Sequence, residues 1–312
     1  MCDITQALDV YKTVLLAVQG AVNGAPECGS AYAPFDGDRV LLNAVLAADL
    51  HTDGNTFRDR NVNLTKIFSG ISKTGAPLDA LVFAGDNTNS AAECEYVNLR
   101  GMLALNRRFA RVIPAMGNHD SGGTSVGTAG EKPFSVASAR HRAFLRHCGI
   151  ESEENRFSVR VKGFAFIALG TEEMLQDNAY LSPTQLAWLD GELSAAEKSR
   201  IAFVIGHQPP AGINGAEKVD TGLGEQSDAV MRILQMHADA GLTVLYISGH
   251  MHADFSEKSF ENPHQRLYFL NLPSLLYSGG HGAVLEVYPD RALIRPRDFL
   301  KGEWMGGYSV KY

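Results

Sequence analysis

The sequence contains few cysteines. The four in 312 residues, Cys2, Cys28, Cys94 and Cys148, are widely and irregularly spaced, with no CxxC pair. This pattern fits neither a disulfide framework nor a thiolate zinc site. A reducing compartment is the simpler interpretation, and we expect a cytoplasmic protein.

Long apolar runs are also absent, since none reaches the roughly 18 residues that a membrane-spanning helix needs. Residues 13–25 resemble the core of an export signal, which is the alternative localisation. Asp3 and Asp9 on the flank argue against it. Apolar residues recur from position 4 to position 22 at steps of four and three, which predicts an amphipathic helix. We therefore expect residues 1–39 to form an N-terminal helical segment that packs on the rest of the chain.

Positive charge is not in excess, because 28 Lys and Arg stand against 35 Asp and Glu, a net charge of −7. This balance argues against general binding of nucleic acids or anionic membranes, since both partners attract basic surfaces. The hydrophobic fraction of 45% excludes disorder and predicts a packed globular chain.

What the sequence does contain is an alternation of short apolar runs and helical patterns. The runs predict strands at 40–48, 80–84, 111–116, 164–169, 201–205, 242–247, 266–272 and 283–287. Helices are predicted near 56–73, 91–110, 135–148, 183–198 and 225–240. The alternation is typical of an α/β fold, with antiparallel strands added at the C-terminus. Two long glycine-rich loops, 121–134 and 208–223, are candidates for lids over a site.

Residues that bind metals follow five of the apolar runs. They are Asp49 and His51, Asp86, Asn118 with His119 and Asp120, His207, and His250 with His252. Open α/β sheets bind ligands at the carboxyl ends of their strands, so these five ends are expected to converge on one crevice.

The types of ligand indicate the metal and the chemistry. Carboxylates, imidazoles and an amide without thiolates suit divalent ions of the Mn, Fe, Co, Ni or Zn type. Seven ligands are too many for one tetrahedral site but suit two ions about 3.5–4 Å apart that share a carboxylate. Such a pair activates a water and clamps a phosphoryl group, which is the chemistry of phosphoester hydrolysis.

In this order, the segments Asp49-Leu50-His51, Gly85-Asp86, Gly117-Asn118-His119-Asp120, His207 and Gly249-His250-Met251-His252 resemble the calcineurin-like metallophosphoesterases. The resemblance implies a four-layer αββα sandwich of two mixed β-sheets flanked by helices. It also implies two metal ions, most simply Mn, Fe or Zn, and attack on phosphorus by a hydroxide that both activate. By similarity, the residues divide into first-metal ligands Asp49, His51 and His252, the bridging Asp86, second-metal ligands Asn118, His207 and His250, a substrate-facing catalytic His119, and a supporting Asp120.

One segment departs from the protein Ser/Thr phosphatase branch of that family. That branch continues G-D-x-x-D-R-G, whereas this chain has Asn89 and Ser90 in place of the second Asp and the Arg. Asn89 can still accept a hydrogen bond from His119 but adds no charge. The departure favours a small-molecule phosphodiester or phosphomonoester as substrate. A monoesterase acting on nucleotides or sugar phosphates, and a non-catalytic scaffold with the same fold, are the alternatives.

Other candidates are less specific. His281, Lys132 and Lys218 could line the crevice and contact substrate, since loop residues beside a site often select it. The basic run from 140 to 147 is expected to form a solvated helix face. We expect residues 1–312 to form a single domain, with 40–255 as the catalytic core and 256–312 as C-terminal strands. The oligomeric state stays open.

Overall fold

The structure, a computed structural model, describes residues 30–106, 111–122, 133–216 and 222–312. Most of the helical segment expected over residues 1–39 lies outside these ranges, and its described part, residues 30–39, forms turns and no helix. Lys132 and Lys218 also lie outside them. Within the described residues, no helix combines the length and apolar character needed to cross a bilayer.

Two mixed β-sheets form the centre of the fold. The first has the order β12-β11-β10-β1-β2-β3, with β13 also paired to β11. Its strands are β1 (Leu42–Ala47), β2 (Ala80–Phe83), β3 (Val112–Pro114), β10 (His281–Val287), β11 (Arg291–Asp298), β12 (Glu303–Trp304) and β13 (Tyr308–Lys311). Strands β1, β2 and β3 are parallel, and β10 runs antiparallel to β1.

The second sheet has the order β4-β5-β6-β7-β9-β8. Its strands are β4 (Phe157–Val161), β5 (Phe164–Ala168), β6 (Ile201–Ile205), β7 (Thr243–Ser248), β8 (Phe260–His264) and β9 (Leu267–Asn271). Strands β5, β6, β7 and β9 are parallel, and the two outer strands are antiparallel to their neighbours. In both sheets, parallel strands therefore end at a common edge.

Alternate residues of each strand pack in different layers, as the period of two requires. Leu46 of β1 lies in the same buried cluster as Phe166 of β5 and Phe203 of β6, so this cluster fills the space between the sheets. Residues adjacent to these in the strands, such as Val45 and Val204, face the helices instead.

The described ranges also contain five α-helices: α1 (Asp59–Ile71), α2 (Glu93–Leu105), α3 (Phe134–His147), α4 (Pro183–Ala196) and α5 (Ser227–Asp239). Phe68 of α1 and Met102 of α2 pack on the outer face of the first sheet. Leu189 of α4 and Leu234 of α5 pack on the outer face of the second sheet. The four-layer α/β/β/α class predicted from the sequence is confirmed.

The start of α4 shows how local sequence sets an element. Ser182 is the N-cap, its Oγ accepts a hydrogen bond from the Gln185 amide at 3.2 Å, and Pro183 occupies the first helical position. The Gln185 side chain bonds both backbone groups of Gly170 and therefore does not cap the helix in return.

From residue 40 onward, every predicted strand and helix has a counterpart in the described residues within about five residues, but several strands were not predicted. These are β4, β8, β11, β12 and β13. The basic run on α3 was also partly misread: His141 is fully buried rather than on a solvated face.

Candidate metal centre

The predicted ligands come from the ends of five strands in both sheets. Asp49 and His51 follow β1, Asp86 follows β2, and Asn118 and His119 follow β3 of the first sheet. His207 follows β6, while His250 and His252 follow β7 of the second sheet. The site therefore lies where the carboxyl edges of the two sheets meet.

Backbone hydrogen bonds hold these strand ends in fixed positions. The amide of Asp49 donates to Gly85 O at 3.1 Å, and the amide of His51 donates to Asp86 O at 3.0 Å. Across the two sheets, the amide of His250 donates to Asp49 Oδ2 at 3.0 Å.

Several of these residues adopt backbone conformations that side chains usually avoid. The φ angles are positive at Asp49 (54°), His51 (44°), Asp86 (51°), His250 (70°) and His252 (51°). Each such residue costs on the order of 1–3 kcal/mol and persists only where its surroundings enforce it. Their concentration at one place is typical of a functional site.

Two glycines of the motifs allow the strand ends to approach closely. A Cβ atom at Gly117 would collide with the Asp86 carboxylate and amide, and one at Gly249 would collide with Asp49 Oδ2. These positions require glycine because a carboxylate occupies the space that a side chain would fill.

Four ligand atoms form a compact cluster on one side of the site. Asp49 Oδ1 lies 2.9 Å from His252 Nε2, which lies 3.1 Å from His51 Nε2. His51 Nε2 is 3.8 Å from Asp86 Oδ2. One ligand atom from each of these four residues lies within 4.8 Å of the others.

His207, His250 and Asn118 complete the set of predicted ligands. His207 Nε2 is 3.2 Å from Asp86 Oδ2, and the His207 ring contacts the His250 ring with centroids 5.1 Å apart. The Asn118 amide donates to Gln176 O at 3.0 Å. Asp86 Oδ2 therefore lies within 4.0 Å of ring nitrogens of His51, His207 and His119.

Burial and charge shift the ionisation of these groups in opposite directions. Burial would raise the pKa of Asp86, but the neighbouring His207 and His119 lower it below its ordinary value. Burial would lower the pKa of His207, but Asp86 and Asp49 raise it to about 10. For His51 and His250 burial dominates and lowers the pKa to about 4. The pocket thus favours positive charge beside its two carboxylates and keeps the outer imidazoles neutral.

These donors fit divalent metal ions. His207 Nδ1 lies 2.7 Å from Ala84 O, which can only accept, so Nδ1 carries a proton and Nε2 is the nitrogen left for a metal ion. This Nε2 faces the Asp86 carboxylate at 3.2 Å, and the buried Asn118 Oδ1 has no hydrogen-bond partner among the described residues. An orphaned buried oxygen beside imidazoles and two carboxylates matches the nitrogen and oxygen ligands of first-row metals.

His119 is placed differently from the ligands. Its Nδ1 lies 2.7 Å from Asn89 O, and its Nε2 lies 4.0 Å from Asp86 Oδ2. Its backbone amide donates to Asp86 Oδ1 at 2.9 Å. Its side chain is 21% exposed, against 2% for His51, so the His119 imidazole lies on the more open side of the centre.

Asp120 lies behind the site, fully buried. Its two oxygens accept hydrogen bonds from the backbone amides of Asn87, Thr88 and Gly117 at 2.9–3.0 Å. The Asn87 amide and Thr88 hydroxyl add two side-chain donors. The carboxylate therefore ties the turn after β2 to the turn after β3.

Asn89 contacts His119 through its backbone, not its side chain. The side-chain Oδ1 instead accepts a hydrogen bond from Arg60 Nη1 at 3.2 Å. His281, another sequence candidate, has Asp254 and Asp298 as partners at 3.1 and 3.5 Å. The loop candidates Lys132 and Lys218 lie outside the described residues.

Two residues at the rim of the site, Arg60 and Tyr277, were not predicted from the sequence. The Tyr277 ring lies 5.3 Å from the rings of both His51 and His252 and is 52% exposed. Arg60 lies over the Tyr277 ring at 5.5 Å. Neither belongs to a motif, so only the assembled fold brings them to the site.

Comparison with known proteins agrees with this geometry. Curated protein sequences give no significant match. Among solved structures, a purple acid phosphatase from yellow lupin (Lupinus luteus) seeds is similar with a TM-score of 0.60 at 11% identity, over 86% of this chain and 53% of that one. The structure of PhoD is similar with a TM-score of 0.53 at 11% identity, over 86% of this chain and 68% of that one.

These two structures support the fold, and this chain spans about half the length of the lupin phosphatase. The family model described as calcineurin-like phosphoesterase matches residues 42–254, a range that contains every strand end of the site. The match covers more than half of the chain, which therefore belongs to the calcineurin-like phosphoesterase family.

Proposed function

We propose that this chain is a metal-dependent hydrolase of small-molecule phosphate esters. The observation that carries the proposal is the convergence of ligand atoms from Asp49, His51, Asp86 and His252 within 4.8 Å of one another. His119 Nε2, 4.0 Å from the central carboxylate, adds a titratable group on the open side. A structural ion alone would not require this imidazole beside it.

Seven side chains would hold two metal ions, with Asp86 shared between them. The first set is Asp49, His51 and His252, and the second is Asn118, His207 and His250. Mn, Fe or Zn suits this mixture of oxygen and nitrogen donors. Two such ions supply an activated water nucleophile and stabilise the negative charge on the phosphoryl oxygens.

His119 is suited to handle the proton of the leaving group. Because its Nδ1 proton is held by Asn89 O, Nε2 is the nitrogen that exchanges protons with the substrate. An imidazolium can give the proton on its Nε2 to the departing alcohol oxygen. Phosphorus–oxygen cleavage then leaves a neutral alcohol and a neutral His119.

The surroundings of His119 favour small substrates over phosphoproteins. The position that carries an aspartate in the protein phosphatase branch is Asn89, and its side chain bonds Arg60 rather than His119. The next position is Ser90, which offers no guanidinium to a phosphoryl group.

Metal analysis and turnover together test the proposal. Purified protein supplemented with Mn²⁺ should bind about two metal equivalents and hydrolyse p-nitrophenyl phosphate or its bis ester. Preference between these two compounds separates a monoesterase from a diesterase. Less than one equivalent of metal, together with no turnover of either compound, would instead identify a scaffold that keeps the fold.

A further inference from the structure

Arg60 places a guanidinium with unused hydrogen-bond donors at the edge of the site. It lies in the first turn of α1 and gives one hydrogen bond, from Nη1 to Asn89 Oδ1 at 3.2 Å. Arg58, two residues earlier, pairs with Asp53 at 2.6 Å. Among the described residues Arg60 has no such carboxylate partner. Since a guanidinium has five N–H donors, Arg60 can still bind an anion.

Tyr277 lies beside Arg60 at this edge, with the guanidinium 5.5 Å from the ring centroid, and is firmly anchored. Its amide donates to Ser274 Oγ at 3.2 Å, and that hydroxyl donates to Asp49 O at 2.9 Å. The turn that carries Tyr277 is therefore attached to the metal-ligand loop after β1. Half of the Tyr277 ring is exposed, so an aromatic surface faces the solvent beside His51 and His252.

Both residues lie on the side of the site where His119 stands. Asn89 links His119 to Arg60, because its backbone carbonyl contacts His119 and its side chain contacts Arg60. The His51 ring, which contacts Tyr277, also contacts His119 with centroids 4.6 Å apart. A group protonated by His119 on departure would thus leave past Arg60 and Tyr277.

We propose that Arg60 and Tyr277 form a subsite for the leaving group and select phosphate esters whose alcohol carries an anionic substituent, such as a carboxylate or a further phosphate. Arg60 binds the anion through its free N–H donors, and the Tyr277 ring packs against the carbon skeleton. This inference rests on the proposed function, since it names the substrates of the same site. Arg60 is then a specificity-determining residue. It supplies a guanidinium at the site, whereas position 90 carries a serine.

A matched pair of substrates isolates the charge of the leaving group. 4-Carboxyphenyl phosphate carries an anion, and its methyl ester has nearly the same shape without the charge. For Arg60→Ala we expect kcat/KM to fall about 10- to 100-fold on the carboxylate, the range for a hydrogen bond to a charged group, mainly through KM. On the methyl ester the change should stay below about threefold.

Three further variants define what the loss means. Lys66→Ala removes one positive charge from the same helix and should leave both substrates unaffected. Arg60→Lys keeps the charge but not the planar fork, so it should recover part of the preference. Tyr277→Ala should raise KM for both substrates, because ring packing does not depend on the charge. Bound metal and melting temperature should be unchanged in Arg60→Ala, since the role proposed for Arg60 is to bind substrate.

Equal losses of kcat/KM on the two substrates would overturn the inference. Arg60 would then only position Asn89 through their hydrogen bond. Unchanged kinetics in Arg60→Ala would also overturn it. If the unmodified protein hydrolyses neither these compounds nor bis-p-nitrophenyl phosphate, the proposed function fails separately. Calorimetric titration with 4-hydroxybenzoate still tests the subsite in that case: binding that is lost in Arg60→Ala supports it, and equal or absent binding in both proteins refutes it.

Discussion

The Nδ1 atom of His119 lies 2.7 Å from the backbone carbonyl oxygen of Asn89. A carbonyl oxygen can only accept, so this contact fixes the imidazole tautomer and the orientation of the ring without any contribution from the Asn89 side chain. The protein phosphatase branch uses a carboxylate at this position. Here the chain obtains the orientation, but not the added charge, from its backbone.

Replacement of the Asn89 side chain should therefore leave His119 functional. We expect Asn89→Ala to change kcat on p-nitrophenyl phosphate by less than about threefold, because the backbone carbonyl is retained. Steady-state kinetics measure this directly. A loss comparable to that of His119→Ala would mean that the side chain, and not the backbone, supports the imidazole.

Asp86 and His119 should differ in their effects on bound metal. Asp86→Ala removes the shared carboxylate, so both metal content and activity should be lost. His119→Ala should retain the metals and lower kcat about 10²–10⁴-fold, the usual contribution of a general acid. Elemental analysis beside kinetics separates the two, with the exposed Asp228→Ala as a control. Equal metal loss in the two site variants would show His119 to be a ligand.

The hydrogen bonds to Asp120 should make this residue structural and sensitive to a one-atom change. Asp120→Asn replaces an acceptor oxygen with an NH2 group that would face the amides of Asn87 or Thr88. Leaving such buried donors unpaired costs about 1–3 kcal/mol, so urea unfolding should show a loss of that size. The exposed Asp228→Asn should show little change. Full stability in Asp120→Asn would contradict this account of the turn.

Gly117 should tolerate no side chain. Gly117→Ala places a Cβ atom against the Asp86 carboxylate, so the loop after β3 must shift and bound metal should fall. Gly191→Ala is a matched control, because Gly191 is exposed within α4 and a Cβ there meets nothing within 4 Å. In that helix, alanine should stabilise the protein by about 0.5–1 kcal/mol. Metal retention in Gly117→Ala would show that the loop relaxes freely.

The sequence predicted the buried part of the fold and not its edges. Strands β5, β6 and β7 are covered on both faces, so they read as continuous apolar runs such as Ile201–Ile205. Strands β4 and β11 have one partly exposed face, and polar residues such as Arg160 and Arg295 alternate with buried ones along them. An uninterrupted apolar run identifies a strand that is covered on both faces, and it does not identify strands with this alternating pattern.

The site divides in the same way. Its ligand candidates could be found because each follows an apolar run within a few residues, as Asp86 follows β2. Arg60 and Tyr277 could not, since they are separated by more than 200 residues and meet only through α1 and the turn after β9. The backbone contact of Asn89 was equally invisible, because a sequence specifies side chains and not the direction of a carbonyl.

His141 provides a prediction about pH that is independent of the metal ligands. It is buried on α3, neither ring nitrogen has a hydrogen-bond partner among the described residues, and burial lowers its pKa to about 4, with Asp120 opposing and Arg142 reinforcing the shift. Above pH 6.5 the imidazole is neutral in both folded and unfolded chains and does not affect stability. Below that pH the unfolded chain binds a proton that the folded chain does not, so stability falls until the pH reaches about 4.

The size of this effect follows from the two pKa values. Between pH 7.5 and pH 5, His141 should contribute a loss of about 2 kcal/mol to the free energy of unfolding. His141→Leu removes the titrating group at a site that offers its nitrogens no hydrogen bonds, so the variant should lose less stability over the same interval. Urea unfolding of both proteins at the two pH values measures the difference, in which contributions from other histidines cancel. If both proteins lost the same stability, His141 would have to be protonated in the folded state, which its burial without an acceptor opposes.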